Sequence, residues 1–180
     1  MKNGLLALAT ASEGVYLFSL KTHTSKLLFS HDDKGNPIIA HTSITPDGEA
    51  LWIGTEHGIV IYHTQDGSMT SLRQSNISSN SLSGNAVHSL FVDRERGVWA
   101  GTFFGGINRI SISSQNFSTF GPESETHDVD VVREMCEDAQ GQLWVGTEDG
   151  GLYELNRYEG RLQVADVAWG GEAVPFNVQS

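Results

Sequence analysis

The chain has 180 residues with 38% apolar side chains, enough for one cored domain, and no shift in composition divides it. Its formal net charge of −11, from 22 acidic and 11 basic residues, excludes a nucleic-acid role and direct membrane contact, both of which need clustered Lys and Arg. Cys136 is the only cysteine, so neither an internal disulfide nor a cysteine-based metal site is available.

From the N-terminus, the first apolar run is Gly4 to Ala9, which Ser12, Glu13 and Gly14 soon interrupt. It is too short for a signal peptide or for a membrane span of about 20 residues. It is instead the first copy of a repeat. Leu6-Ala7-Leu8-Ala9-Thr10 returns as Leu51-Trp52-Ile53-Gly54-Thr55, as Val98-Trp99-Ala100-Gly101-Thr102 and as Leu143-Trp144-Val145-Gly146-Thr147. The threonines recur about every 45 residues, the period of a β-propeller blade.

Four strands, a to d, fill each period. Residues 4–30 read as b-c-d; residues 36–73, 85–120 and 129–168 each read as a-b-c-d; a partial strand follows at 173–180. In the third copy the strands are 87–92, 97–102, 106–111 and 117–120, joined by short loops as in one antiparallel blade. The a–b turns hold Pro46-Asp47-Gly48, Asp93 to Gly97 and Asp138 to Gly141, where Asp bonds the nearby backbone and Gly takes positive φ. The b–c turns hold Gly14, Gly58, Gly105-Gly106 and Gly150-Gly151 for the same reason.

Strand b is apolar on consecutive residues, which requires cover on both faces. Trp52, Gly54, Thr55, Trp99, Gly101, Thr102, Trp144, Gly146 and Thr147 are therefore read as structural. The fold class is an all-β propeller of about four four-stranded antiparallel blades. Because the repeat starts before a strand b and stops inside a strand a, the chain is expected to be part of a larger propeller. A four-bladed ring closed by the C-terminal strand is the alternative.

The stretch from Val132 to Leu155 fits x-I-x-x-D-x-x-G-x-L-W-V-G-T-x-x-G-G-L-x-x-L almost throughout. Val87 to Ile110 fits nearly as well, and Ser43 to Tyr62 fits with Ile59 in place of the second Gly. This pattern resembles the two-component regulator propeller repeat. The resemblance implies seven-bladed propellers, often in tandem, on the outer side of the membrane in large bacterial sensors such as hybrid histidine kinases. It implies a ligand-sensing or interaction module, a periplasmic location, an oligosaccharide ligand, and adjoining propeller or kinase domains as partners. These 180 residues hold no kinase motif and no phosphoacceptor histidine, so no enzyme activity is expected of them. Open blade edges predict self-association.

Propeller ligands meet the face built by the b–c and d–a loops. The b–c loops carry Ser12-Glu13, Glu56-His57, Phe103-Phe104 and Glu148-Asp149, residues that differ between copies and are not needed to make the turn. The candidate ligand-binding residues are His57, Phe103, Phe104, Glu148 and Asp149. The two rings would stack on a sugar while the others exchange hydrogen bonds. The competing reading is a solvated hairpin tip.

His31-Asp32-Asp33 and His127-Asp128 read as polar d–a loops rather than a cation site, and Asp47, Asp93 and Asp138 as turn formers rather than acid–base groups. No cofactor and no metal is expected. Cys136 reads as a small buried strand residue.

The enzyme rival is the streptogramin lyase family, a propeller with a related D-x-x-G-x-x-W repeat. It needs a channel histidine and a metal held by carboxylates. Only His41 and His88 fall in strands a, with no carboxylate set evident. A third alternative is a passive scaffold or a gene fragment.

Overall fold

The computed structural model describes residues 4–44, 48–78, 80–111, 116–120, 131–148, 150–165, 168–169 and 172–173. Short apolar strands broken by glycine turns give four larger antiparallel sheets among the described residues. The first holds β1 (Leu5–Ala9), β2 (Val15–Ser19) and β3 (Thr24–Phe29). The second holds β4 (Ala40–Ile44), β5 (Ala50–Thr55), β6 (Gly58–His63) and β7 (Met69–Leu72). The third holds β8 (Val87–Val92), β9 (Val98–Thr102), β10 (Ile107–Ile110) and β11 (Phe117–Phe120). The fourth holds β12 (Val132–Glu137), β13 (Leu143–Thr147), β14 (Leu152–Asn156) and β15 (Arg161–Val164).

Strands β4 and β8 lie against one another, as do β8 and β12, so the sheets stack face to face as blades around their first strands. This is an all-β propeller segment. Three blades have four strands and the first has three among the described residues.

One apolar layer fills each gap between blades. Val15 and Phe29 of the first blade meet Leu51, Ile53 and Val60 of the second. Trp52, Ile59 and Ile61 meet Val87, Leu90 and Val98 of the third. Trp99 and Ile107 meet Val132, Met135, Leu143 and Val145 of the fourth. The second strand of a blade thus sends its Trp toward the following blade and its flanking aliphatics toward the preceding one. That is why its apolar residues run consecutively.

The threonine closing each second strand ties the next turn. Thr10, Thr55, Thr102 and Thr147 donate their hydroxyls to the carbonyls of Gly14, Gly58, Gly106 and Gly151 at 2.7 to 3.0 Å. Those four glycines have φ between 70° and 108°, a backbone shape that favours residues without Cβ.

Gly54 and Gly101 have another role. A Cβ on Gly101 would stand 2.4 Å from Val132 Cγ1 and 2.4 Å from Ser89 Oγ, at the contact with the next blade. On Gly54 the nearest atom would be the Val87 carbonyl oxygen at 2.9 Å. Gly101→Ala is therefore expected to destabilise by about 1–3 kcal/mol through overpacking, and Gly54→Ala by less. Urea unfolding midpoints of the two variants check the order.

The structure corrects several expectations. In the third a–b turn it is Arg96, with φ 66°, that adopts the left-handed shape, while Gly97 leaves room for Asp93 Oδ2 and Arg109 Nε, each within 3.0 Å of a built Cβ. Cys136 is exposed rather than buried. It pairs with Trp144 on the face of the fourth sheet away from the third, where no described sheet packs. Beyond β15 stands a short hairpin of β16 (Ala168–Trp169) and β17 (Glu172–Ala173) that the repeat does not announce. The rest of the expected strand at 173–180, together with Pro46 and Asp47, lies outside the described residues.

Candidate functional site

Where the first strand of a blade pairs with the second, the ladder skips one residue. Ala40 pairs with Thr55 and Thr42 with Gly54, leaving His41 unpaired. Val87 pairs with Thr102 and Ser89 with Gly101, leaving His88. Val132 pairs with Thr147 and Glu134 with Gly146, leaving Arg133. A bulge of this kind releases one residue from the ladder and re-aims its side chain.

Across each bulge stands the residue after the conserved-in-repeat threonine: Glu56, Phe103 or Glu148. Each is fixed by the same backbone bond, from its own N–H to the carbonyl of Ile39, Ala86 or Val131, at 2.9 to 3.2 Å. The repeat therefore builds one frame three times and fills it differently. His41 Nε2 meets Glu56 Oε1 at 2.6 Å. The ring of His88 meets Phe103 at 5.6 Å between centroids. Arg133 Nη2 donates to Glu148 Oε2 at 2.5 Å.

The three frames touch. The His41 and His88 rings stack at 4.1 Å with 15° between planes, bridging the second and third blades. Thr42, Ser89 and Arg133 join them around a cavity of about 180 Å³ along the first strands. Burial, reinforced by His41, holds the His88 imidazole below its ordinary value, which favours its neutral form.

Phe104 closes the rim, edge-on to Phe103 at 4.1 Å. Its φ is 61° and its exposure 66%. A bulky residue in that backbone region carries strain of about 1–3 kcal/mol. The rim thus combines exposed aromatic surface, a cationic donor and two carboxylates, a set suited to a polar ligand with an apolar face.

Other polar groups brace the fold. Asp32 accepts from Lys34 N, Asn36 N and Asn36 Nδ2 at 2.9 Å, and Arg73 Nη2 reaches it at 2.5 Å. Burial alone would raise this carboxyl, but the bonds from Asn36, Lys34 and Arg73 hold it at about 2. Asp33 accepts from Ser71 Oγ and Arg73. Asp93 and Asp138 accept from turn backbone and also from the indoles of Trp99 and Trp144. Their carboxylates are structural.

Residues 81–104 and 128–149 match the family model described as "Two component regulator propeller". These two stretches are two-component regulator propeller repeats. No curated protein sequence matches it.

The fold of these regulator repeats recurs in the extracellular domain of a B. thetaiotaomicron protein described as a hybrid two component system. The two are 18% identical with a TM-score of 0.66, over 89% of this chain and 20% of that one. It recurs in a virginiamycin B lyase of Staphylococcus aureus solved with quinupristin, at 14% identity and TM-score 0.68, over 96% and 55% of the two chains. PorZ, a surface component of the type-IX secretion system of Porphyromonas gingivalis, shares 18% identity and a TM-score of 0.65, over 91% and 26%. The chain thus spans a fifth to about half of these neighbours' lengths.

Within the regulator repeats, Phe103, Phe104 and Glu148 stand on the rim. His57 is exposed beside it and is held through main-chain atoms: its N–H donates to Thr55 Oγ1, and its carbonyl accepts from Arg73 Nε. Asp149, His127 and Asp128 lie outside the described residues. Sequence reasoning missed Glu56 as a partner of His41, and missed Arg133 altogether. The carboxylates of Glu56 and Glu148 bond His41 and Arg133, and Glu134 lines the cavity. The available signal was the period itself: His41, His88 and Arg133 recur at the same spacing as the threonines.

Proposed function

We propose that this segment is a ligand-receiving part of a two-component sensor propeller, taking a carbohydrate or similar polar ligand on the rim of His88, Phe103, Phe104, Arg133 and Glu148. The observation that carries it is the filling of three equivalent frames with unlike side chains. A position used only for folding keeps its residue from copy to copy, as the turn glycines do; here no two copies hold the same pair, which is His–Glu, His–Phe and Arg–Glu in turn. The strained, exposed Phe104 supports the reading, because such geometry concentrates where a ligand is met.

The extracellular neighbour supports a periplasmic or outer-face location. Capture on the rim would be passed to adjoining propeller or kinase domains of a parent sensor, and the module itself is non-catalytic. Leu6 and Leu8, each 43% exposed, offer a further blade or a second copy a surface to cover.

The test is a glycan panel read by calorimetry. At least one oligosaccharide is expected to bind saturably, with Phe104→Ala weakening it about tenfold or more while circular dichroism stays unchanged. A blank panel would leave the scaffold reading. One observation favours the lyase alternative, the carboxylate of Glu56 against His41. Magnesium-dependent opening of a cyclic ester antibiotic would decide for it.

A further inference from the structure

The geometry points to a divalent transition-metal site made by His41, Glu56 and His88. One ligand atom from each of the three lies within 4.8 Å of the others. They come from separate elements: β4, the β5–β6 turn and β8 of the neighbouring blade.

The frame around them is held independently of any ion. His41 and His88 sit on backbone bulges, Glu56 is tied through its own N–H to Ile39, and the His88 ring lies between His41 and Phe103. The nearby Arg133 has its charge met by Glu148, which reduces its repulsion of a bound cation.

The donor set chooses the ion. Two imidazoles and a carboxylate suit zinc and its neighbours, whereas calcium and magnesium want oxygen ligands throughout. Three protein donors leave a tetrahedral ion with one open position, for water or for an oxygen of a bound ligand. In the structure His41 Nε2 and Glu56 Oε1 bond each other directly at 2.6 Å. Metal entry replaces that contact: a proton shared there leaves to solvent, the parallel His41 and His88 rings unstack so that their in-plane lone pairs converge, Glu56 turns toward the ion, and nothing is oxidised or reduced.

This site shares His88 with the sugar rim but does not depend on it, since the metal is offered alone. Zinc titrated into the full chain, followed by calorimetry, is expected to bind one per chain. Cobalt at the same site is expected to show the strong visible absorption of a four-coordinate ion. Glu56→Gln, close in shape and still able to bond His41, is expected to weaken zinc about tenfold or more, and His88→Ala at least as much. His23→Ala and His63→Ala, exposed and partly buried histidines outside the cluster, are expected to leave binding unchanged. No one-to-one binding by the folded wild-type chain, or binding that ignores Glu56→Gln and His88→Ala, would overturn the site.

Discussion

Trp99→Ala should destabilise the protein by about 3–5 kcal/mol, and Trp144→Ala by less than half as much. The two tryptophans hold the same place in successive repeats, so the difference measures environment alone. Trp99 is 1% exposed and fills the gap between the third and fourth blades against Val132, Met135, Leu143 and Val145. Phe120 packs on its ring at 5.5 Å, and the guanidinium groups of Arg109 and Arg157 lie 5.6 and 5.8 Å from its centroid. Removing it opens a cavity that rigid strands on both sides cannot close. Trp144 is only partly buried, on the face that no described sheet covers, so water takes much of the vacated space. Urea unfolding of both variants gives the comparison; equal losses would mean that the second face is covered in solution.

Asp93→Ala should cost about 2–4 kcal/mol, and Asp138→Ala about 1 kcal/mol. Asp93 is 4% exposed and accepts from Gly97 N at 2.6 Å, Trp99 Nε1 at 2.7 Å and Arg109 at 3.3 Å. Without it, an indole N–H and a backbone N–H are left buried with no acceptor. Arg109 keeps Glu95 at 2.9 Å and loses less. Asp138 makes the corresponding bonds to Gln140 N, Gln142 N and Trp144 Nε1, but in a turn open enough for water to substitute. The pairing of Asp93 with Trp99 has a second signature. In the double variant Asp93→Ala with Trp99→Phe the losses should add to less than their sum, because the phenyl ring carries no donor to strand. Thermal or urea unfolding of the parent chain, the two single variants and the double variant reads that coupling.

The fold was legible because it is written several times. Leu51-Trp52-Ile53, Val98-Trp99-Ala100 and Leu143-Trp144-Val145 each state that both strand faces are covered, and the glycines at 14, 58, 106 and 151 each mark a turn of positive φ. Exposure of Cys136 was not legible, since it follows from what covers the fourth sheet rather than from the strand.

The site was legible only on its loop side. Phe103, Phe104 and Glu148 stood out as residues that vary where the turn does not need them. His41, His88 and Arg133 share the threonine spacing, but that they are released from the ladder was not legible, because a bulge is a property of two strands in register. The partnership of Glu56 with His41 bridges 15 residues and depends on that same skipped position.

A bulged residue has no partner across the ladder, and its side chain is not part of an apolar layer between blades. Substitution there changes what the rim displays and leaves strand pairing intact. Residues 41, 88 and 133 are therefore places where mutation can accumulate at little cost to folding, whereas neighbours such as Val87, Gly101 and Val132 cannot drift. If the rim takes a ligand as proposed, chains built on this repeat can diverge in ligand long before they diverge in architecture, with recognition and foldability exposed to selection separately.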